Sequence, residues 1–177
     1  MAVTRSLVNV PYVEGRIMIG NEIMPWSGEF EDVFSPIVDE RDNNPILIGK
    51  LPRMDESTTL QAVEYAKIAW HYGRGEWPQK SFKERIEVIN NLVTELCKKR
   101  DAIINLLCWE ICKTYKEAAD EFDRTMNFVD LSIKELNALL QREFCMHESA
   151  GMFGKVLRCP IGIMLAMGPS NYPVYRY

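Results

Sequence analysis

Pro160-Ile161-Gly162-Ile163-Met164-Leu165-Ala166-Met167-Gly168-Pro169-Ser170-Asn171-Tyr172-Pro173 is the stretch whose reading decides the fold. From Ile161 to Met167 it is apolar without alternation. A strand with one wet face alternates, so a continuous run is the pattern of a strand buried on both faces of a parallel sheet. Gly168-Pro169 then breaks the run. Pro173 suits the first turn of a helix, where the backbone N–H it lacks has no partner anyway. Strand, turn and helix start together predict an α/β fold. A parallel strand needs parallel neighbours at ~30 residues per βαβ unit, yet four residues follow Pro173. The expectation is a sequence that stops as an α/β sheet begins. The alternative is that the run joins earlier strands in an antiparallel sheet covered by helices.

Upstream, Glu143–Met146 and Lys155–Cys159 read as two strands around a turn holding Gly151 and Gly154. Before them the period becomes helical. Ala118, Phe122, Met126, Val129, Ile133, Leu136 and Leu140 share one face of a helix starting near Tyr115. Asp101 is expected to cap a shorter helix carrying Ile104, Leu107 and Cys108. Ser81 precedes Glu84 by three residues, a capping box opening a helix with the stripe Ile86, Ile89, Leu92, Val93 and Leu96. Asp55 or Ser57 caps an earlier helix with Leu60, Val63 and Ala66 or Lys67, ending near Gly73. Gly73-Arg74-Gly75 has no strand before it and reads as a helix break, not a dinucleotide fingerprint. The segment ahead of Asp55 reads as short strands and turns. Gly15–Glu22 suggests a hairpin, Ser27-Gly28 and Asp42-Asn43-Asn44-Pro45 suggest turns, and Pro45–Leu51 a further strand.

Composition excludes several classes. Hydrophobic residues make up 47% and charged residues 26%, enough for one domain with a sizeable core. The 21 Lys and Arg against 25 Asp and Glu leave a net charge of −4, which gives no attraction for nucleic acid or an anionic membrane. No run approaches the ~20 apolar residues of a membrane span. The five cysteines are odd in number and form no CxxC pair. With no signal-like start, a disulfide framework is not expected and a reducing, cytoplasmic setting is. Cys108 and Cys112 could share a helix face, but His71 and His147 are remote in sequence. Small core residues are therefore expected, with no metal.

Taken in order, these pieces resemble the N-terminal third of the aldehyde dehydrogenase superfamily. Ser35-Pro36-Ile37 resembles an early strand end, with Ser in place of Asn. Ala62–Trp70 and Lys83-Glu84-Arg85 to Leu92 resemble two of its helices. Trp109–Lys113 resembles a Glu-x-Gly-Lys helix end, with Cys112 in place of Gly. Pro160–Pro173 resembles the family's segment ending in Asn-Tyr-Pro, the most specific of the five. The resemblance covers nearly the whole chain. It implies one incomplete domain, residues 1–177, with strands and turns over 1–54 and a helical block over 55–140. A bridging hairpin over 141–159 and the start of a truncated nucleotide-binding sheet over 160–177 complete it.

The resemblance also implies roles. Asn171 would be catalytic, its amide holding the oxyanion of a thiohemiacetal; from the residue alone it would cap the following helix. Gly168 and Pro169 would line the pocket of NAD or NADP with their backbone. Ser170 stands where the family usually has an aromatic residue. Arg124-Thr125 and Asn171-Tyr172-Pro173 look most like the non-phosphorylating, NADP-dependent glyceraldehyde-3-phosphate dehydrogenases, in which Arg124 and Tyr172 would contact substrate. A guanidinium suits phosphate because it is always charged and donates bidentate hydrogen bonds. The residues alone equally allow Arg124 to pair with Asp120 or Glu121 one turn back.

In that family a Cys thiolate attacks the aldehyde, hydride passes to the nicotinamide, and water activated by a Glu releases the carboxylic acid. The nucleophile, the general-base Glu and a cofactor-binding Lys would all lie beyond Tyr177. No cysteine here has a Gly-Gln-x-Cys setting, so the chain alone is expected to be inactive. Its partners would be a small-molecule aldehyde and, when complete, further copies of itself. The competing expectation is a non-catalytic helical interaction domain that binds a full-length subunit.

Overall fold

The computed structural model describes residues 9–39, 42–143, 145–155 and 158–174. Helices and strands are mixed, as in an α/β protein. The N-terminal region builds β1 (Val13–Glu14), β2 (Ile17–Ile19), β3 (Glu22–Met24), β4 (Phe30–Val38) and β5 (Pro45–Pro52). β2 and β3 form the expected hairpin. Its turn, Gly20-Asn21, has positive φ at both positions, the requirement of a two-residue hairpin turn. Ile17 and Ile19 are buried while Met18 faces solvent.

The larger sheet has the order β1-β5-β4. β5 pairs in parallel with β1 and antiparallel with β4. A side chain at Gly49 would meet the Val13 carbonyl oxygen at 2.3 Å, so the β1–β5 approach requires glycine there. β4 carries register shifts at Val33/Phe34 and Ser35/Val38. Its Pro36, which has no N–H to donate, is tolerated because β4 is an edge strand.

The helical block begins with α1 (Glu56–Trp70), capped by Asp55. After a short 3-10 turn at His71–Gly73 comes α2 (Glu76–Gln79). Gly73-Arg74-Gly75 is the break between them, as expected: a Cβ at Gly75 would lie 1.7 Å from the Ala69 carbonyl oxygen. α3 (Phe82–Lys98) starts on the Ser81–Glu84 capping box. α4 (Arg100–Glu110) follows after the single residue Lys99. Asp101 is therefore not its cap: it sits in the first turn, where a carboxylate still complements the helix dipole. α5 (Tyr115–Glu143) is the longest helix. Thr114 and Glu117 cap it reciprocally, each side chain accepting from the other's backbone N–H.

The core lies between α4 and α5. Ile104 and Leu107 meet Ala118 and Phe122, with Leu96, Met126 and Val174 packed around them. Burial of Ile104, Leu107 and Phe122 stabilises by about 1.5–3 kcal/mol each. The sheet is joined to this core by Ser35. Its buried Oγ donates to the Trp109 carbonyl at 2.5 Å and accepts from Ile37 N–H at 3.1 Å.

Two expectations for the C-terminal region need correction. The hairpin is tighter than expected: β6 (His147–Ser149) and β7 (Met152–Gly154) pair across Ala150-Gly151. Glu143 ends α5, and residues 144, 156 and 157 lie outside the described residues. The apolar run also forms no strand: Ile161 is 89% and Leu165 83% exposed. A strand buried on both faces needs partners on both edges, and among the described residues none pairs with it. The antiparallel alternative fails for the same reason. The helix expected from Pro173 falls largely on residues 175–177, outside the described residues.

Candidate substrate cleft

A cleft of about 540 Å³ opens at the N-terminal end of α5, lined by Cys112, Lys113, Glu117, Asp120, Asp123, Arg124, Asn127 and Tyr172. It brings Arg124 and Tyr172 onto one surface although they lie far apart in the chain. Asn171 is exposed and is not among the lining residues. Gly168 is exposed and Pro169 half-buried, both outside this cleft.

The wall is built by one end of the α4–α5 unit. α4 stops at Ile111, and Cys112 turns the chain with φ of 55°. A residue with a Cβ is strained in that left-handed region, which is the physical reason a glycine belongs in a Glu-x-Gly-Lys helix end. Cys112 is accordingly exposed at the cleft, contrary to the expectation of a small core residue. Cys108 does pack beside the core, and its burial raises the thiol pKa. All described cysteines are free, and the described residues contain no metal-holding cluster of His, Cys, Asp and Glu.

Charges in the cleft are mostly spoken for. Arg100 takes Asp123 in a two-pronged pair, Nε to Oδ1 at 2.9 Å and Nη2 to Oδ2 at 2.7 Å. Asp123 is held below the usual carboxylate range first by that hydrogen bonding. Glu117 is engaged in capping, which lowers its pKa through Thr114. Lys113 pairs with Glu121, and its ammonium also sits 4.0 Å from the centroid of the Tyr172 ring. Arg124 Nε donates to the backbone carbonyl of Asp120 at 3.0 Å. Neither carboxylate proposed as its partner takes it, and among the described residues no ion pair neutralises it. Among the described residues the cleft therefore presents the Arg124 guanidinium without an ion-pair partner, with the Tyr172 ring and the Asp120 carboxylate also in its lining.

Glu121 was not expected to matter, except as a partner for Arg124. It is fully buried, on the same helical stripe as Ala118, Phe122 and Thr125. One oxygen meets Lys113 and the other accepts from the Val174 backbone N–H at 3.1 Å. A carboxylate at a core position of the stripe was the available signal.

Residues 32–176 match the sequence profile of the aldehyde dehydrogenase family, so the chain belongs to that family of oxidoreductases. Among relatives, it is 28% identical over 132 residues to an NADP-dependent glyceraldehyde-3-phosphate dehydrogenase of Streptococcus equinus, covering 72% of this chain and 27% of that protein. A malonate-semialdehyde dehydrogenase of Bacillus cytotoxicus is 24% identical over 128 residues, 72% of this chain and 25% of that protein. A succinate semialdehyde dehydrogenase of Acinetobacter baylyi is 23% identical over 159 residues, 83% of this chain and 28% of that protein. The chain thus spans about a quarter of the length of the relatives it matches.

The family uses NAD or NADP. Gly168 and Pro169, the residues the resemblance assigns to that cofactor, have no polar side chain to offer and lie outside the cleft. No helix among the described residues is long and apolar enough to cross a membrane.

Proposed function

We propose that this chain is the N-terminal portion of an NAD(P)-dependent aldehyde dehydrogenase that oxidises a phosphorylated aldehyde, such as glyceraldehyde 3-phosphate, to the carboxylic acid. The observation that carries this reading is the meeting of Arg124 and Tyr172 in one cleft. Among the described residues Arg124 has no ion-pair partner, and its Nε donates to a backbone carbonyl. Its outer nitrogens are the donors a phosphate takes bidentately. The name of the Streptococcus relative points to the same substrate and to NADP. Tyr172 would pack against the carbon chain, and Asn171, next in the turn, would donate its amide to the developing oxyanion. The complete enzyme would be cytoplasmic and homo-oligomeric.

On this reading the chain alone, without the nucleophile of the family, turns over no aldehyde. The test is NADPH or NADH formation by the purified chain with phosphorylated and unphosphorylated aldehydes. Turnover that survives removal of contaminating full-length enzyme contradicts it.

A second reading, a helical interaction domain that binds a full-length subunit, is favoured by one observation. The α3–α5 groove is open and lined by Ile89, Leu92, Leu96, Val129 and Leu136. Association with a full-length family subunit, and no effect of Arg124 on any aldehyde reaction, would select it.

A further inference from the structure

Glu121 is an ionisable group where the helix pattern calls for an apolar one. It lies with Ala118, Phe122 and Thr125 on the stripe of α5 that faces the core, and it is 0% exposed. A buried carboxylate is tolerated only when charge and hydrogen bonds compensate it. Here both oxygens are used, and both lead to the same short segment. Oε1 accepts from the peptide N–H of Val174 at 3.1 Å. Oε2 holds Lys113, whose ammonium lies 4.0 Å from the centre of the Tyr172 ring. Val174 itself packs on the Ile104–Leu107–Ala118–Phe122 cluster.

We propose that Glu121 is a positioning residue that fixes the Tyr172–Val174 turn against α5, and with it the Tyr172 face of the cleft. One oxygen sets the backbone and the other sets the ring, through Lys113. The cation–π contact depends on the ion pair because a lysine with four rotatable bonds keeps its head over one ring only when something holds it there. The consequence for substrate rests on the reading above, that Tyr172 faces the aldehyde. The latch itself does not.

The test is amide and aromatic NMR on the 177-residue chain. In Glu121→Leu, hydrogen exchange at the Val174 amide should quicken by about tenfold or more while Phe122 stays protected. Glu121→Gln keeps an acceptor oxygen for Val174 and should restore most of that protection. Lys113→Met should move the Tyr172 ring resonances and leave the Val174 amide protected. Unchanged Val174 exchange in a folded Glu121→Leu overturns the proposal. If Glu121→Leu does not fold, Lys113→Met decides, and an unmoved Tyr172 ring overturns it. Arg124→Leu should leave the Val174 amide protected, because its bond is to Glu121, so a failure of the phosphate reading and a failure of the latch are separately visible.

Discussion

Arg100 grips Asp123 across the α4–α5 interface with two parallel hydrogen bonds, at 2.9 and 2.7 Å. The pair offsets the charge of Asp123, a carboxylate in the cleft lining that would otherwise oppose an anion there. It also makes the interface acid-sensitive. Hydrogen bonds to Arg100 hold the Asp123 carboxyl below the usual carboxylate range in the folded protein. A depressed carboxylate stabilises the fold above its unfolded pKa, and that contribution is lost as pH falls through the folded value. Denaturation of wild type and Asp123→Asn should therefore differ at neutral pH and converge well below pH ~4. The difference at neutral pH should be small, because the pair is partly exposed and solvent screens it. A difference that persists unchanged into strong acid would show that the ion pair is not its source.

Cys112 occupies a left-handed backbone position, with φ of 55°. Glycine pays no Cβ penalty there. Cys112→Gly should raise stability by about 1 kcal/mol, read from the denaturant midpoint. A loss of stability would mean that the thiol makes a contact outweighing the strain.

Ser35 is the hinge pin between the edge strand β4 and the end of α4. Ser35→Ala removes its bonds to the buried Trp109 carbonyl and the part-buried Ile37 N–H. The expected loss is about 1–3 kcal/mol of unfolding free energy. A neutral substitution would show that water takes over both bonds.

Much of the helical block can be read from sequence because its signals are local. Asp55 and the Ser81–Glu84 box mark starts that the structure places at the same residues. Thr114 and Glu117 carry the same spacing signal at the start of α5. β4 was foreseen only at Ser35-Pro36-Ile37, since its two register shifts break the alternation a strand is recognised by. The run Ile161–Met167 shows the opposite limit: its apolar character describes a demand for partners, and no strand forms among the described residues without them. The cleft depends on contacts between α5 and the Tyr172 turn, which no local pattern encodes. Arg124 and Tyr172 were reached through family resemblance alone. Glu121 is visible as a carboxylate on the stripe of Ala118 and Phe122, but its spacing to Arg124 equally suits a surface pair, and the structure buries it.

The central claim is that Arg124 is the phosphate-binding cation of this cleft. The most direct measurement compares kcat/KM for glyceraldehyde 3-phosphate and glyceraldehyde in a full-length enzyme carrying this segment, as wild type and as Arg124→Leu. The expected loss is about 1.5–3 kcal/mol in transition-state binding for the phosphorylated aldehyde, roughly 10- to 150-fold in rate constant. Almost no change is expected for the unphosphorylated one, which offers no charge to hold. Equal losses on both substrates would contradict it, and would make Arg124 a structural residue of α5.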